Sequence, residues 1–259
     1  MHARNGVRAF RVCRRSGAHA RERHLLLNGR IELDFVTDAL EASKAIKAPV
    51  KVIYSREDDM QHDFYRCASC HKMGAGLDAK GAPTLWTHLV AAPSSMEHLF
   101  PGSVKNGLDP ELVEGAMAMP YAIPNVLVEC KVVDTGIPVG FWRSVNNSYN
   151  AFAVETFIDE LAHESRKDPY HFRRDLLTDS PRHLRVLNLA AERAGWGTAL
   201  PAGRARGIEV HLSFQRYVAE VAKVSVASDG AVQVHEAVCN AIFVLAGKRI
   251  RKLPVGRVG

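Results

Sequence analysis

The sequence lacks several features that would assign a function class directly. No uninterrupted apolar run approaches the roughly 18 residues that a membrane-spanning helix needs, which excludes a segment that crosses a bilayer. The five cysteines are odd in number and widely scattered, unlike a disulfide framework, so we expect reduced thiols. The H-E-x-x-H, P-loop, G-x-G-x-x-G and G-x-S-x-G motifs are missing, and no metal ligand or catalytic residue is assigned from them.

Acidic side chains are nearly missing from both ends of the chain. Residues 1–30 hold eight arginines and one acid, and residues 248–259 hold five basic residues and no acid. The segment between them has 21 basic and 27 acidic side chains, so the net charge of +6 comes from the ends. Two short basic ends around an acidic body are weak support for a surface that binds phosphate backbones, and we predict no nucleic-acid partner.

The hydrophobic pattern is periodic only after residue 30. Residues 1–30 show neither a helical nor a strand period, so this Arg-rich segment is predicted to lie outside the fold. The later pattern predicts a helix ending before Pro49, strands at 50–54, 66–77, 83–91 and 126–133, three helices starting near 151, 168 and 180, and strands at 217–226 and 232–238. Residues 56–59 and 92–124 are predicted to be loops. Strands, a block of helices, then strands indicate an α+β fold with mixed sheets.

A C-x-x-C-H motif is formed by Cys67, Cys70 and His71. This pattern is typical of covalent haem attachment, with the two thiols bound to the vinyl groups and the histidine bound to iron. Met117 or Met119 would then be the sixth ligand. The alternative is that two cysteines happen to lie in a strand, and the position of the motif beside the predicted hairpin at 66–91 favours this second interpretation.

A glycine- and proline-rich loop at 136–148 is the strongest candidate for a binding site. Its glycines allow the backbone to approach a ligand closely, Arg143 offers a planar fork for an oxo-anion, and a helix N-terminus follows. Two interpretations remain open from the residues alone. The loop binds an anion, or it is a packed loop with a buried Trp142.

Several short motifs together resemble the molybdenum-binding subunit of isoquinoline 1-oxidoreductase, a member of the xanthine dehydrogenase and aldehyde oxidase superfamily of molybdenum hydroxylases. The matching segments lie within 31–239 and occur in the family's order. They are 49–60, 62–66, 120–125, 142–145, 150–153, 159–162, 168–173 and 194–197.

This resemblance implies a fold like part of the molybdopterin-binding domains and a cofactor, molybdopterin cytosine dinucleotide with molybdenum. It implies an oxidoreductase that hydroxylates N-heterocycles or oxidises aldehydes and passes electrons to a [2Fe–2S] subunit. The residues that it places nearest the cofactor are Arg143, Ser144, Val145 and Asn146, by match to the family's second cofactor loop. Without a visible export signal, the cytoplasm is the default expectation for the compartment.

The sequence also departs from the family pattern. Residues 25–30 stand where the family has a Gly-Gly-Gly-Phe-Gly-Arg-Arg loop, and Asn146 stands where it has a glycine. The tail at 240–259 resembles the family's extreme C-terminus, joined directly to a strand that lies far upstream in the family. The intervening Gly-Glu-x-Gly loop, which carries the base glutamate, has no counterpart. We therefore expect an internally deleted subunit with no assignable catalytic residue, inactive alone.

Overall fold

The computed structural model describes residues 10–11, 33–227, 229 and 231–239. The predictions for 240–259, and those for 1–30 apart from Phe10 and Arg11, lie outside the described residues. Within the described ranges, no helix is both long and apolar enough to span a bilayer. The chain forms two compact units, each of which is built from several separate stretches of sequence.

Unit 1 takes its described residues from the ranges Met1–Ser69, Ala91–Glu111 and Lys131–Val145. A two-stranded antiparallel sheet pairs Phe10–Arg11 with Lys51–Val52. The elements of this unit are β1 (Phe10–Arg11), α1 (Asp34–Ile46), β2 (Lys51–Val52), α2 (Arg56–His62) and α3 (Ser95–Leu99). Helix α1 confirms the helix predicted before Pro49.

The predicted loop at 56–59 is wrong, because these residues begin helix α2. Ser55 and Asp58 form a capping box, in which the Ser55 hydroxyl accepts from the Asp58 N–H and the Asp58 carboxylate accepts from the Ser55 N–H. Each bond satisfies a backbone donor that a helix start leaves unpaired. The Ser-x-x-Asp spacing therefore indicates a helix start. The prediction of a loop relied on the acidic composition of 56–59 and did not use this spacing.

Unit 2 takes its described residues from the ranges Cys70–Val90, Leu112–Cys130 and Asn146–Gly259. Its elements are β3 (Cys70–Leu77), β4 (Pro83–Ala92), β5 (Asn125–Val132), α4 (Asn147–Glu164), α5 (Pro169–Leu176), α6 (Pro181–Arg193), β6 (Arg204–Ser213), β7 (Arg216–Val226) and β8 (Val232–Cys239). The strands form two three-stranded sheets, ordered β3-β4-β5 and β6-β7-β8, and the last residues of β4 and β5 belong to unit 1. The predicted α+β class is confirmed, whereas β6 was missed.

Helices α5 and α6 begin where proline follows a polar residue, as predicted. Asp168 caps α5 by accepting bonds from the N–H groups of Tyr170 and His171 at 3.0 and 3.1 Å. Ser180 precedes α6 but makes no side-chain cap, since its hydroxyl donates to the Pro120 carbonyl at 3.0 Å. The two helix starts look alike in sequence, but only Asp168 has the capping bonds.

Most of the core of unit 2 lies between helices α4–α6 and the sheet β6-β7-β8, and Trp86 of β4 also belongs to it. Trp86, Ile158, Phe172, Leu187 and Val210 are among its fully buried side chains. The helices contribute apolar side chains at helical spacing, and the strands contribute apolar side chains at alternate positions. These two apolar faces pack against each other.

A buried ion pair crosses this core. The Arg173 Nε atom lies 2.9 Å from Glu155 Oε2, and both side chains are almost completely buried. Glu155 also accepts from the Tyr121 hydroxyl at 2.7 Å and from the Val210 N–H at 3.2 Å. The Arg173 guanidinium contacts Asp159 as well. Because a buried charge is tolerated only when it is paired, this network fixes α4, α5 and β6 together.

Candidate cofactor-binding loop

Within the candidate loop at 136–148, residues 138–145 are attached to the segment Phe64–Arg66 in unit 1. The Tyr65 N–H donates to the Pro138 carbonyl, and the Gly140 N–H donates to the Tyr65 carbonyl, each at 3.0 Å. These bonds form an isolated parallel bridge between Tyr65 and Val139. Tyr65, in one of the segments that carry the family resemblance, is therefore in direct backbone contact with residues just before the matching segment at 142–145.

Arg66 holds the tip of the loop. Its Nη1 donates to the Val145 carbonyl at 3.0 Å, and its Nη2 donates to the Arg143 carbonyl at 3.1 Å. The guanidinium carbon also lies 5.5 Å from the centroid of the Trp142 ring, a cation–π distance. Only the planar fork of arginine provides two such bonds and a ring contact together. Arg66 is therefore a positioning residue that the sequence analysis did not single out.

The loop backbone is strained at two successive positions. Ser144 and Val145 have φ values of 59° and 44°, in the left-handed region. This conformation is a genuine outlier for a β-branched residue and costs about 1–2 kcal/mol per residue. Such strain persists only where the surroundings impose it, and it clusters at ligand sites. Here the two bonds from Arg66 bracket the strained residues and hold them in place.

The predicted cofactor residues occupy different environments. Arg143 and Ser144 are exposed, and neither side chain has a hydrogen-bond partner within the part of the chain that the structure describes, whereas Val145 is partly buried. These three residues belong to unit 1. Asn146 belongs to unit 2, where it is buried and precedes α4 without making a side-chain cap. The packed-loop alternative needed a buried Trp142, but this residue is 40% exposed and Phe141 is buried instead.

A buried polar cluster lies at the start of α4, within unit 2. Asn150 donates to the Leu112 and Glu114 carbonyls, both at 2.9 Å, and Asn147 Oδ1 lies 3.0 Å from His211 Nε2. Asn147 Nδ2 and Asn150 Oδ1 are buried with no partner among the described residues. The Asn-x-x-Asn spacing puts both amides on one face of the helix, and the cluster fixes the turn that contains Gly115.

Gly115→Ala is expected to destabilise unit 2 by at least about 2 kcal/mol, because left-handed backbone and overpacking add together. Gly115 has a φ of +82°, and an added Cβ would lie 2.7 Å from Asn147 Oδ1 and 2.9 Å from His211 Cε1. Gly203→Ala is the matched control, since its φ is +77° and its Cβ would meet nothing within 4 Å. Chemical denaturation gives the free energy of unfolding of both variants. An equal loss of this free energy in the two variants would contradict the packing argument.

Two of the three C-x-x-C-H residues, Cys67 and His71, make internal contacts. The Cys67 sulfur is buried 3.2 Å from the Ser95 hydroxyl, and burial raises the pKa of this thiol. Cys70 is exposed at the start of β3, and His71 Nδ1 lies 2.9 Å from His88 Nε2. These contacts favour the interpretation that the motif is part of ordinary packing. Among the described residues, no group of three or more His, Cys, Asp or Glu side chains could hold a metal ion.

The comparison with protein families identifies the class. The molybdopterin cofactor-binding domain matches residues 37–177, which include both the Phe64–Arg66 segment and the loop that it holds. The chain belongs to this family, and the family resemblance found in the sequence is confirmed.

Similar proteins agree with this assignment. The isoquinoline 1-oxidoreductase subunit beta of Brevundimonas diminuta is 31% identical over 64% of this chain, and a membrane-bound aldehyde dehydrogenase (pyrroloquinoline-quinone) of Gluconacetobacter polyoxogenes is 32% identical over 72%. The matches span only 22% and 28% of those two proteins. The solved structure of quinoline 2-oxidoreductase from Pseudomonas putida 86 shares the fold, with a TM-score of 0.51, 20% identity, and coverage of 75% of this chain and 29% of that one.

The residues present in the loop fit an anionic, hydrogen-bonding cofactor. The Arg143 guanidinium and the Ser144 hydroxyl are polar groups at the surface, and neither has another partner in the described part of unit 1. Guanidinium pairs bidentately with phosphate, and a hydroxyl both donates and accepts. The donor set thus suits the phosphate and pterin groups of a molybdopterin.

Proposed function

We propose that this chain is the molybdopterin-binding part of a molybdenum hydroxylase-type oxidoreductase, with the loop at 143–146 against the cofactor. The observation that carries the proposal is the strained turn at Ser144 and Val145, which Arg66 brackets with two hydrogen bonds. A backbone held in a costly conformation beside an exposed guanidinium is what a preformed ligand loop requires.

The chain's residues would act by positioning. Arg143 would pair with a phosphate of the cofactor, and Ser144 would donate a hydrogen bond beside it. Arg66 would hold both residues in place through the Arg143 and Val145 carbonyls. The bound cofactor would supply the two-electron redox chemistry, and the protein would orient it and limit access of water.

The finer assignments extend the same proposal. We infer the cytosine dinucleotide form of the cofactor, a [2Fe–2S] electron-transfer subunit as partner, and a small N-heterocycle or aldehyde as substrate. The names of the two relatives, an isoquinoline oxidoreductase subunit and an aldehyde dehydrogenase, support the two substrate classes.

We expect no turnover from the chain alone. The sequence has no counterpart of the base-bearing Gly-Glu-x-Gly loop. The buried Glu155 does not replace that base, because it is bonded to Arg173, Tyr121 and Val210. Oxidation of isoquinoline or an aldehyde with a dye acceptor is the assay. Measurable turnover by the pure chain would contradict this part of the proposal.

Arg143→Ala is expected to lower the affinity for the cofactor about tenfold or more, because a charge-assisted hydrogen bond contributes about 1.5–3 kcal/mol. The measurement is molybdenum and pterin content after purification from a host that makes the cytosine dinucleotide. Arg185→Ala is the matched control, since Arg185 is another exposed arginine and lies on α6. Equal cofactor content in the two variants would show that the loop at 143–146 does not hold the cofactor.

A further inference from the structure

Trp142 is an exposed aromatic side chain at the start of the turn that Arg66 holds in unit 1. It is 40% exposed, whereas the preceding Phe141 is buried. In the proposed function Arg143 and Ser144 contact the cofactor, but this ring has no role. An indole is large and flat, and it binds ligands through its apolar face as well as through its N–H group.

Three contacts hold Trp142 in place although it is exposed. Its Nε1–H donates to the Phe64 carbonyl at 3.3 Å, and its carbonyl accepts from the Val145 N–H at 2.8 Å. The Arg66 guanidinium carbon lies over the ring, 5.5 Å from its centroid. A side chain that is already ordered loses little conformational entropy when a ligand binds to it. Trp142 is therefore preorganised, as the rigid aromatic anchors of binding surfaces are.

The indole also keeps surface that a second planar group can cover. A guanidinium lies against one face of a ring, and Arg66 is the cation over this one. Within the part of unit 1 that the structure describes, no other ring or cation contacts Trp142. A flat heteroaromatic ring that stacks on the indole would bury the surface that is now exposed.

The next residue along the turn supplies a positive charge. Arg143 is exposed, and its side chain has no ion-pair partner in the described part of unit 1. An aromatic ring beside a guanidinium suits a nucleotide, because the base stacks on the ring and the phosphate pairs with the guanidinium. Stacking tolerates every base, since every base has a π face. Trp142 would therefore detect the presence of a base rather than its identity.

We propose that Trp142 stacks on the nucleobase of the cofactor's dinucleotide part, while Arg143 pairs with the adjoining phosphate. This inference rests on the proposed function and adds a binding residue to the same loop. Trp142 then selects the dinucleotide form over a molybdopterin that has no base, because only the dinucleotide gains the stacking contact.

Calorimetric titration of the full chain, purified from a host that makes no molybdopterin, tests the stacking contact directly. CMP is expected to bind about tenfold or more tighter than ribose 5-phosphate, which has the phosphate but no base. Trp142→Leu is expected to remove this difference, and Trp142→Phe, which keeps a π face, is expected to retain most of it. Circular dichroism checks that the variants fold.

Trp196→Phe is the matched control for these variants. Trp196 lies in unit 2, and its ring is already in contact with the Tyr170 ring and the Arg206 guanidinium. We expect this variant to bind CMP and ribose 5-phosphate like the unmodified chain. The inference is overturned if CMP binds no tighter than ribose 5-phosphate, or if Trp142→Leu binds CMP as tightly as the unmodified chain.

The nucleotide content of the loaded chain separates this inference from the proposed function. In a host that makes both molybdopterin and its cytosine dinucleotide, Trp142→Leu is expected to retain molybdenum but to release less CMP per molybdenum on acid hydrolysis. An unchanged ratio of CMP to molybdenum in this variant overturns the inference and leaves the proposed function standing. The absence of molybdenum from the unmodified chain would instead contradict the proposed function.

Discussion

Arg173→Met is expected to lower the free energy of unfolding of unit 2 by about 3–5 kcal/mol, enough to unfold a marginally stable unit. The substitution leaves the Glu155 carboxylate buried with only the Tyr121 hydroxyl and the Val210 N–H as described partners. A buried charge without its counter-ion loses solvation that two neutral hydrogen bonds do not replace. Chemical denaturation followed by the fluorescence of Trp86 and Trp196 measures the loss.

Arg174→Met is the matched control for this prediction. Arg174 is the next residue along α5, but its side chain is 45% exposed and lies 3.7 Å from the exposed Asp175 carboxylate. An exposed pair of this kind contributes at most about 1 kcal/mol. If the two methionine variants unfold at the same denaturant concentration, the ion pair with Glu155 does not hold the core of unit 2 together.

Acid is expected to destabilise unit 2 between pH 7 and pH 5 by about 2 kcal/mol for each of two buried histidines. His88 and His183 are only 1% and 7% exposed. Burial, and then the nearby His71 and His211, respectively, together lower the pKa of each to about 4. Since the unfolded chain binds these protons near pH 6.5, their contribution to stability is complete above pH 6.5 and is lost as the pH falls toward 4.

His183→Phe separates this effect from other titrations. The substitution keeps an aromatic ring on Tyr217, which His183 contacts edge-on at 4.7 Å between ring centroids, and removes the titrating group. The stability lost between pH 7 and pH 5 is expected to be about 2 kcal/mol smaller in this variant. An identical pH dependence in the two proteins would mean that His183 is protonated as readily in the folded chain as in the unfolded one.

Local signals predicted much of the fold. The hairpin was expected at 66–91, and in its turn between β3 and β4 the Asp78 carboxylate accepts bonds from the Lys80 and Ala82 N–H groups at 2.8 Å. The starts of α5 and α6, where proline follows a polar residue, could also be predicted from the sequence, because helix capping depends on residues within one helical turn. Strand β6 was missed because its residues 204–213 mix arginine, glycine and histidine with the apolar positions, and only pairing with β7 makes them a strand.

The candidate site was only partly predictable for a different reason. Arg143, Ser144, Val145 and Asn146 were found because they lie together in one motif. Arg66 was not singled out, since its role depends on two carbonyls that follow it by 77 and 79 residues in the chain. The left-handed backbone at Val145 was equally hidden, because valine disfavours it and only the surrounding bonds impose it. Positioning contacts of this kind need the fold before they can be seen.

The most direct test of the proposed function is elemental analysis for molybdenum on the full, folded chain, purified from a host that makes molybdopterin cytosine dinucleotide. If the loop held by Arg66 binds the cofactor, we expect one molybdenum atom per chain. We expect a clearly lower molybdenum content in Arg143→Ala and an unchanged content in Arg185→Ala. A folded chain that carries no molybdenum under these conditions would contradict the assignment of the loop at 143–146 as a cofactor site.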